Sequence, residues 1–246
     1  MELSGKTAIV TGGYRGLGLV IARALLSQGA QVAICGRSSE NLKKLDSVLS
    51  EFEGSYLWTV CDITLPLQVS NFVKKVLHEF GSVDILVNNA AIFGSQTQII
   101  DYDPQVFKDV ISVNIVGAFN LCQGVLPHMV AQNYGKIINV TGSHTIKEGS
   151  DFGGAYYLSK LALEGLSSIL AHEYGDTYIS VNQVNPSGLK LDEIITQGGE
   201  TEGEIASNKL QELFVYLASA DSNGVNGKKY DALEWIEDHK TDASHV

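Results

Sequence analysis

The chain lacks the features that mark a secreted, metal-bound or nucleic-acid-binding protein. Its three cysteines, Cys35, Cys61 and Cys122, are odd in number and lie at spacings of neither a zinc site nor a redox pair. Two fall in strand-like segments, where a buried reduced thiol is the ordinary state, so a cytoplasmic location is expected. The four prolines are scattered and form no linker, and no repeat of solenoid type occurs. Basic residues are few: 17 Lys and Arg stand against 28 Asp and Glu, a net charge of −11. Such a chain repels phosphate backbones, which excludes nucleic acid as an expected partner. The opening Met1-Glu2-Leu3-Ser4-Gly5-Lys6 has no basic region followed by an apolar one, so no leader is expected. No apolar run reads as a bilayer span, and no membrane partner is expected. No metal site is expected either.

What is present reads as a globular α/β protein, 44% apolar and 18% charged. Short β-branched runs at Thr7–Thr11, Gln31–Cys35, Tyr56–Cys61, Ile85–Asn88, Lys136–Thr141, Ile179–Val184 and Lys229–Leu233 predict strands. Helices are predicted between them, near Gly16–Gln28, Glu40–Phe52, Leu67–Phe80, Pro104–Gln132, Ala155–Tyr174 and Glu204–Ala218. This alternation predicts a single doubly wound, Rossmann-type parallel sheet flanked by helices. Runs such as Ala8-Ile9-Val10 and Ile85-Leu86-Val87 suit strands buried on both faces. One Rossmann-type domain over residues 1–246 is expected, with a peripheral acidic tail over 234–246.

Between the first strand and first helix stands Thr11-Gly12-Gly13-Tyr14-Arg15-Gly16-Leu17-Gly18. Glycines let the backbone approach a pyrophosphate, and a helix N-terminus offers free N–H groups. Gly12, Tyr14, Arg15, Gly16, Leu17 and Gly18 are therefore candidate cofactor residues. The second strand ends in Gly36-Arg37-Ser38, with no Asp or Glu between Ala30 and Ser39 to bind a ribose 2′-hydroxyl. Arg37, Ser38 and Arg15 can meet a 2′-phosphate instead, so NADP(H) is expected over NAD(H).

Tyr156 and Lys160 lie four positions apart in a predicted helix, on one face. A nearby ammonium would lower the phenol's pKa and suit it to acid–base work. Tyr157 is a rival for the same role. Ser143 follows the apolar strand Ile137–Val140, at the end where open α/β sheets place their ligands. Its hydroxyl can polarise a carbonyl.

Taken together these residues resemble the short-chain dehydrogenase/reductase family, in its 3-oxoacyl-reductase-like form, over about residues 5 to 188. The family's T-G-x-x-x-G-x-G is met by Thr11, Gly12, Gly16 and Gly18, and its N-N-A-G by Asn88-Asn89-Ala90-Ala91. The resemblance implies that Asp62 and Ile63 contact adenine, that Asn89, Ala90, Pro186 and Gly188 help hold the dinucleotide, and that Asn114 supports a proton relay. It also implies catalysis by Ser143, Tyr156 and Lys160, with Lys160 and Tyr156 touching the nicotinamide ribose. The thirteen-residue step from Ser143 to Tyr156 is a usual one for the family and selects Tyr156 over Tyr157.

The activity implied is hydride transfer between NADP(H) and a small carbonyl or alcohol, in a homo-oligomer, tetramer or dimer, paired through the two long helices. A silent dinucleotide sensor and an NAD-dependent alcohol dehydrogenase are the alternatives. The pattern departs at Pro186-Ser187-Gly188, at Leu191 where a threonine is usual, and at Ala91 for the last glycine. Phe93, Thr145, Ile146, Phe152 and Leu189 are pocket candidates by position alone, and His144 is assigned no role.

Overall fold

A computed structural model describes residues 1–142, 154–186 and 202–239, with side chains from 208 onward in the last segment. Among these residues seven strands form one sheet: β1 (Thr7–Thr11), β2 (Gln31–Gly36), β3 (Tyr56–Val60), β4 (Ile85–Asn88), β5 (Gly135–Val140), β6 (Ile179–Asn185) and β7 (Lys229–Asp231). Their order is β3-β2-β1-β4-β5-β6-β7, and every pairing is parallel. The direction of winding reverses between β1 and β4, which opens a crevice at the carboxyl ends of those two strands.

Among the described residues the helices are α1 (Gly16–Ser27), α2 (Ser39–Lys43), α3 (Leu45–Val48), α4 (Pro66–Phe80), α5 (Pro104–Ile111), α6 (Gly117–Ala131), α7 (Gly154–Glu173), α8 (Glu202–Ala218) and α9 (Ala232–Asp238). Side-chain alternation along each strand feeds two cores. Ala8, Val10, Val32 and Ile34 meet Ile21 and Leu25 of α1 and Leu213 and Phe214 of α8 on one face. Ile9, Ala33 and Leu86 meet Phe72 of α4, Leu121 of α6 and Leu170 of α7 on the other. Burial on both sides is why the central strands are continuously apolar.

The departures from the predicted elements have local causes. Glu40–Phe52 is not one helix but α2, α3 and a 3₁₀ turn over Ser50–Phe52. Leu42, Leu45 and Leu49 hold it to the core, while Asn41, Ser47 and Ser50 favour turns over helix. The last strand is cut to Lys229–Asp231 because the Asp231 carboxylate caps α9, accepting from the Leu233 N–H at 2.9 Å. The chain from Glu234 is thus not all peripheral: Ile236 is buried, and Trp235 stacks on Tyr216. Residues 240–246 lie outside the described residues.

The predicted helix Pro104–Gln132 is continuous but contains a π-helical turn, Ser112–Val116, between α5 and α6. Against the expectation of no span-length apolar run, Pro104–Ala131 is long and apolar enough to cross a membrane by length and composition. More than half of its most apolar stretch is buried inside the protein, as in a core helix. Cys35 and Cys61, distant in sequence, meet at the ends of neighbouring strands and share a thiol hydrogen bond, which raises the Cys35 pKa. All three cysteines are buried and free.

Candidate active site

The glycine turn is clamped to the end of β4 by one hydroxyl. Thr11 Oγ1 accepts from the backbone N–H of Asn89 and of Ala90, each at 2.9 Å, and donates to the Val87 carbonyl at 3.3 Å. That exhausts a threonine's hydrogen-bonding capacity. The Asn89 side chain returns the contact, donating to the Thr11 carbonyl at 2.8 Å. Gly12 has φ 65°, and a Cβ at Gly18 would overlap the Gly12 carbonyl oxygen and Asn89 Nδ2. Gly16, at φ 50°, faces open space.

Arg15 is the N-cap of α1, but its side chain makes no capping bond, and the first turn holds no acidic residue. The first N–H groups of α1, from Gly16 through Gly18, therefore face the crevice with the helix's partial positive charge. A glycine turn with no room for side chains, beneath a helix end with no cap, fits a pyrophosphate. The Tyr14 ring packs where a Cβ on Gly36 would lie, 2.6 Å from that position, so it joins the turn to the end of β2. Arg15 sits 5.6 Å from the centre of that ring. Arg15 and Arg37 are both exposed. Ser38 caps α2 by accepting from the Asn41 N–H at 3.3 Å.

Asp62, after β3, holds a tight turn. Its Oδ1 accepts from the Thr64 N–H at 2.9 Å and from the Thr64 hydroxyl at 2.8 Å. Ile63 lies against Gly117 at the start of α6, and its carbonyl accepts from Asn120 at 2.9 Å. Leu17 packs against the first core. Pro186 directly follows β6 and is partly buried. Ser143 and Gly188 lie outside the described residues, as do Thr145, Ile146, Phe152, Leu189 and Leu191.

At the end of β5, Lys160 is buried and its Nζ donates to the Val140 carbonyl at 2.7 Å. The same Nζ stands 5.4 Å from the centre of the Tyr156 ring. Burial, with no carboxylate partner among the described residues, pushes the Lys160 ammonium down to about 8. The expected lowering of the Tyr156 pKa is not found: burial pushes this phenol up to about 12. Desolvation is what moves the phenol, while the lysine's hydrogen bond goes to the Val140 carbonyl. The Tyr156 hydroxyl points toward Gly142, lying 3.6 Å from where a Cβ on that glycine would be.

Asn114 lies in the π-helical turn and is buried. Its Oδ1 accepts from the Ile92 N–H at 2.9 Å, and its Nδ2 donates to the Ile92 carbonyl at 3.0 Å and to Ser159 Oγ at 2.9 Å. The widened turn aims this amide sideways at two other elements, a common use of π-bulges. Ser159, which sequence reasoning missed, donates to the Tyr156 carbonyl at 2.6 Å. Its place directly before Lys160 was the available signal. The Phe93 ring stacks on Tyr156, with centroids 4.6 Å apart and planes at 28°.

The fold and this cleft define a doubly wound α/β protein whose glycine turn shares one sheet edge with a half-buried tyrosine and a buried lysine. The short chain dehydrogenase family model matches residues 6–198, and the chain belongs to that family. A 3alpha-hydroxysteroid dehydrogenase of Mediterraneibacter gnavus is 35% identical over 197 residues, 78% of this chain and 77% of the relative. The 3-oxoacyl-[acyl-carrier-protein] reductase FabG of Rickettsia prowazekii is 34% identical over 192 residues, 78% of this chain and 76% of the relative. Among solved structures, a short chain dehydrogenase of Shigella flexneri complexed with NADP superposes with a TM-score of 0.81 at 25% identity, covering 94% of this chain and 98% of its own. An NAD⁺-bound xylitol dehydrogenase superposes equally, with a TM-score of 0.81 at 26% identity and the same coverage. The protein is accordingly an oxidoreductase that uses a nicotinamide dinucleotide on alcohol or carbonyl groups.

Proposed function

We propose that the protein exchanges hydride between NADP(H) and a small carbonyl or alcohol, with Tyr156 as the proton donor and acceptor. The observation that carries this is the placing of a half-buried Tyr156 beside the buried Lys160 at the carboxyl end of β5, on the same edge of the sheet as the glycine turn. The turn Gly12–Gly18, with Tyr14, Arg15 and Leu17, cradles the pyrophosphate. Arg37, Ser38 and Arg15 take the 2′-phosphate, Asp62 and Ile63 the adenine, and Asn89, Ala90, Pro186 and Gly188 line the remaining path. Bound nicotinamide supplies or accepts the hydride.

Tyr156 stays protonated at neutral pH and gives its proton to the substrate oxygen, which Ser143 polarises. The Lys160 ammonium stabilises the phenolate left behind. Asn114 positions Ile92 and Ser159 around the pair, and the Ile92 carbonyl keeps a second lone pair for a relay water. Val116 and Phe119 of the central helix and Leu158, Leu161 and Ile169 of α7 are exposed apolar residues on the two long helices. A second copy of the chain covers them, in a cytoplasmic dimer or tetramer. The test is a panel of carbonyls with NADPH and NADH and of alcohols with the oxidised forms, read by absorbance of the reduced nicotinamide. No turnover across the panel would leave a dinucleotide-binding protein without this activity.

A further inference from the structure

The segment after β4 holds an exposed aromatic ring with unusual firmness. Phe93 is 67% exposed, yet its backbone is anchored on both sides. Before it, Ile92 is held through both its N–H and its carbonyl by Asn114. After it, the Ser95 N–H donates to the Tyr102 hydroxyl at 3.1 Å. Gly94, between them, has φ 78°, and a Cβ there would overlap the same hydroxyl and Val110. Tyr102 and Val110 form a small core of their own with Ala155, the residue before Tyr156. The loop that carries Phe93 and the helix that carries Tyr156 are thus built on one packed cluster. Their rings keep a set relation, stacked at 4.6 Å.

An apolar ring this exposed gains little from the fold itself. Its position is the informative part. A carbonyl that accepts a hydrogen bond from the Tyr156 hydroxyl must spread its substituents beside that phenol, within reach of Phe93. A rigid aromatic face favours flat or cyclic partners, which stack without freezing rotors. A linear chain of equal carbon number loses rotor entropy to make the same contact.

We infer that Phe93 is a specificity-determining residue, an aromatic platform beside Tyr156 that selects ring-bearing carbonyls and alcohols over linear ones of the same carbon number. The inference rests on the oxidoreductase reading for its chemistry and on the stacked pair for its geometry.

The test compares cyclohexanone with 2-hexanone in wild type, Phe93→Ala and Phe93→Tyr. Wild type is expected to favour the cyclic ketone by about tenfold in kcat/KM, the scale of a well-filled apolar contact. Phe93→Ala removes that preference mainly through KM, and Phe93→Tyr keeps it. Binding of the two ketones, followed by saturation-transfer NMR with the dinucleotide present, gives a second readout independent of turnover. If neither ketone is turned over but the ring binds better in wild type and not in Phe93→Ala, the platform stands and the reading of Tyr156 as proton donor to small ketones fails. Equal binding and equal kcat/KM for the two ketones in wild type would overturn the platform. Equal losses on both ketones in Phe93→Ala, carried by kcat, would also overturn it and would make Phe93 a mere support for Tyr156.

Discussion

Lys160 donates to the Val140 carbonyl at 2.7 Å, and its Nζ stands 5.4 Å from the centre of the Tyr156 ring. The pair is therefore set by burial more than by mutual attraction, with the lysine near 8 and the phenol near 12. This ordering predicts the pH profile. Carbonyl reduction should be flat below about pH 8 and fall above it, as Lys160 loses the charge that stabilises the phenolate. A Lys160→Arg variant cannot lose its proton in this range. Whatever activity it retains should show no break near that pH in a plot of kcat/KM, and an unchanged break would assign the titration to another group.

The same burial has a stability signature. A lysine whose folded pKa is about 8 against 10.5 unfolded binds fewer protons in the native state between those values, so its contribution to stability rises with pH across that window. Relative to wild type, Lys160→Met should gain most below pH 8 and lose that advantage by pH 10.5, a change of roughly 3 kcal/mol in the difference. Denaturant melts of both proteins at pH 7 and pH 10 measure it, and a constant difference would contradict it.

Tyr156→Phe should lower turnover by about two to four orders of magnitude, the range for a lost acid–base group. The ring remains, and with it the stack on Phe93, so thermal stability and dinucleotide affinity should stay near wild type. Substantial residual turnover would move attention to Tyr157.

Arg37→Ala should weaken NADP(H) at least tenfold and leave NAD(H) nearly unchanged. A charge-assisted bond to phosphate contributes roughly 1.5–3 kcal/mol, and about 1.4 kcal/mol is tenfold in affinity. Titration of both oxidised dinucleotides against wild type and variant decides it. Equal wild-type affinity for the two would overturn the preference for NADP(H).

Asn114→Ala should destabilise the fold by roughly 1–3 kcal/mol, because it strands the Ile92 N–H after removing three side-chain hydrogen bonds. It should also release the loop carrying Phe93, seen as faster amide exchange at Ile92. Unaltered exchange there would show that the Tyr102 anchor suffices alone.

Much of the molecule was legible in one dimension. Hydrophobic runs flanked by helical stretches set the parallel sheet, because strands buried on both faces must be apolar throughout. The glycine turn, the absence of acid at Arg37 and the four-residue step from Tyr156 to Lys160 are local patterns, readable wherever they stand. Tertiary structure decided what depends on distance between segments far apart in the chain. The phenol's shift runs upward because tertiary packing desolvates it, and no spacing encodes burial. Asn114 reaches Ile92 and Ser159 only because a π-turn rotates it off the regular helical face. Phe93 becomes a platform only when a separate small core of Tyr102, Val110 and Ala155 brings its loop against Tyr156. Periodicity reports which face a residue occupies, whereas packing alone sets what that face meets.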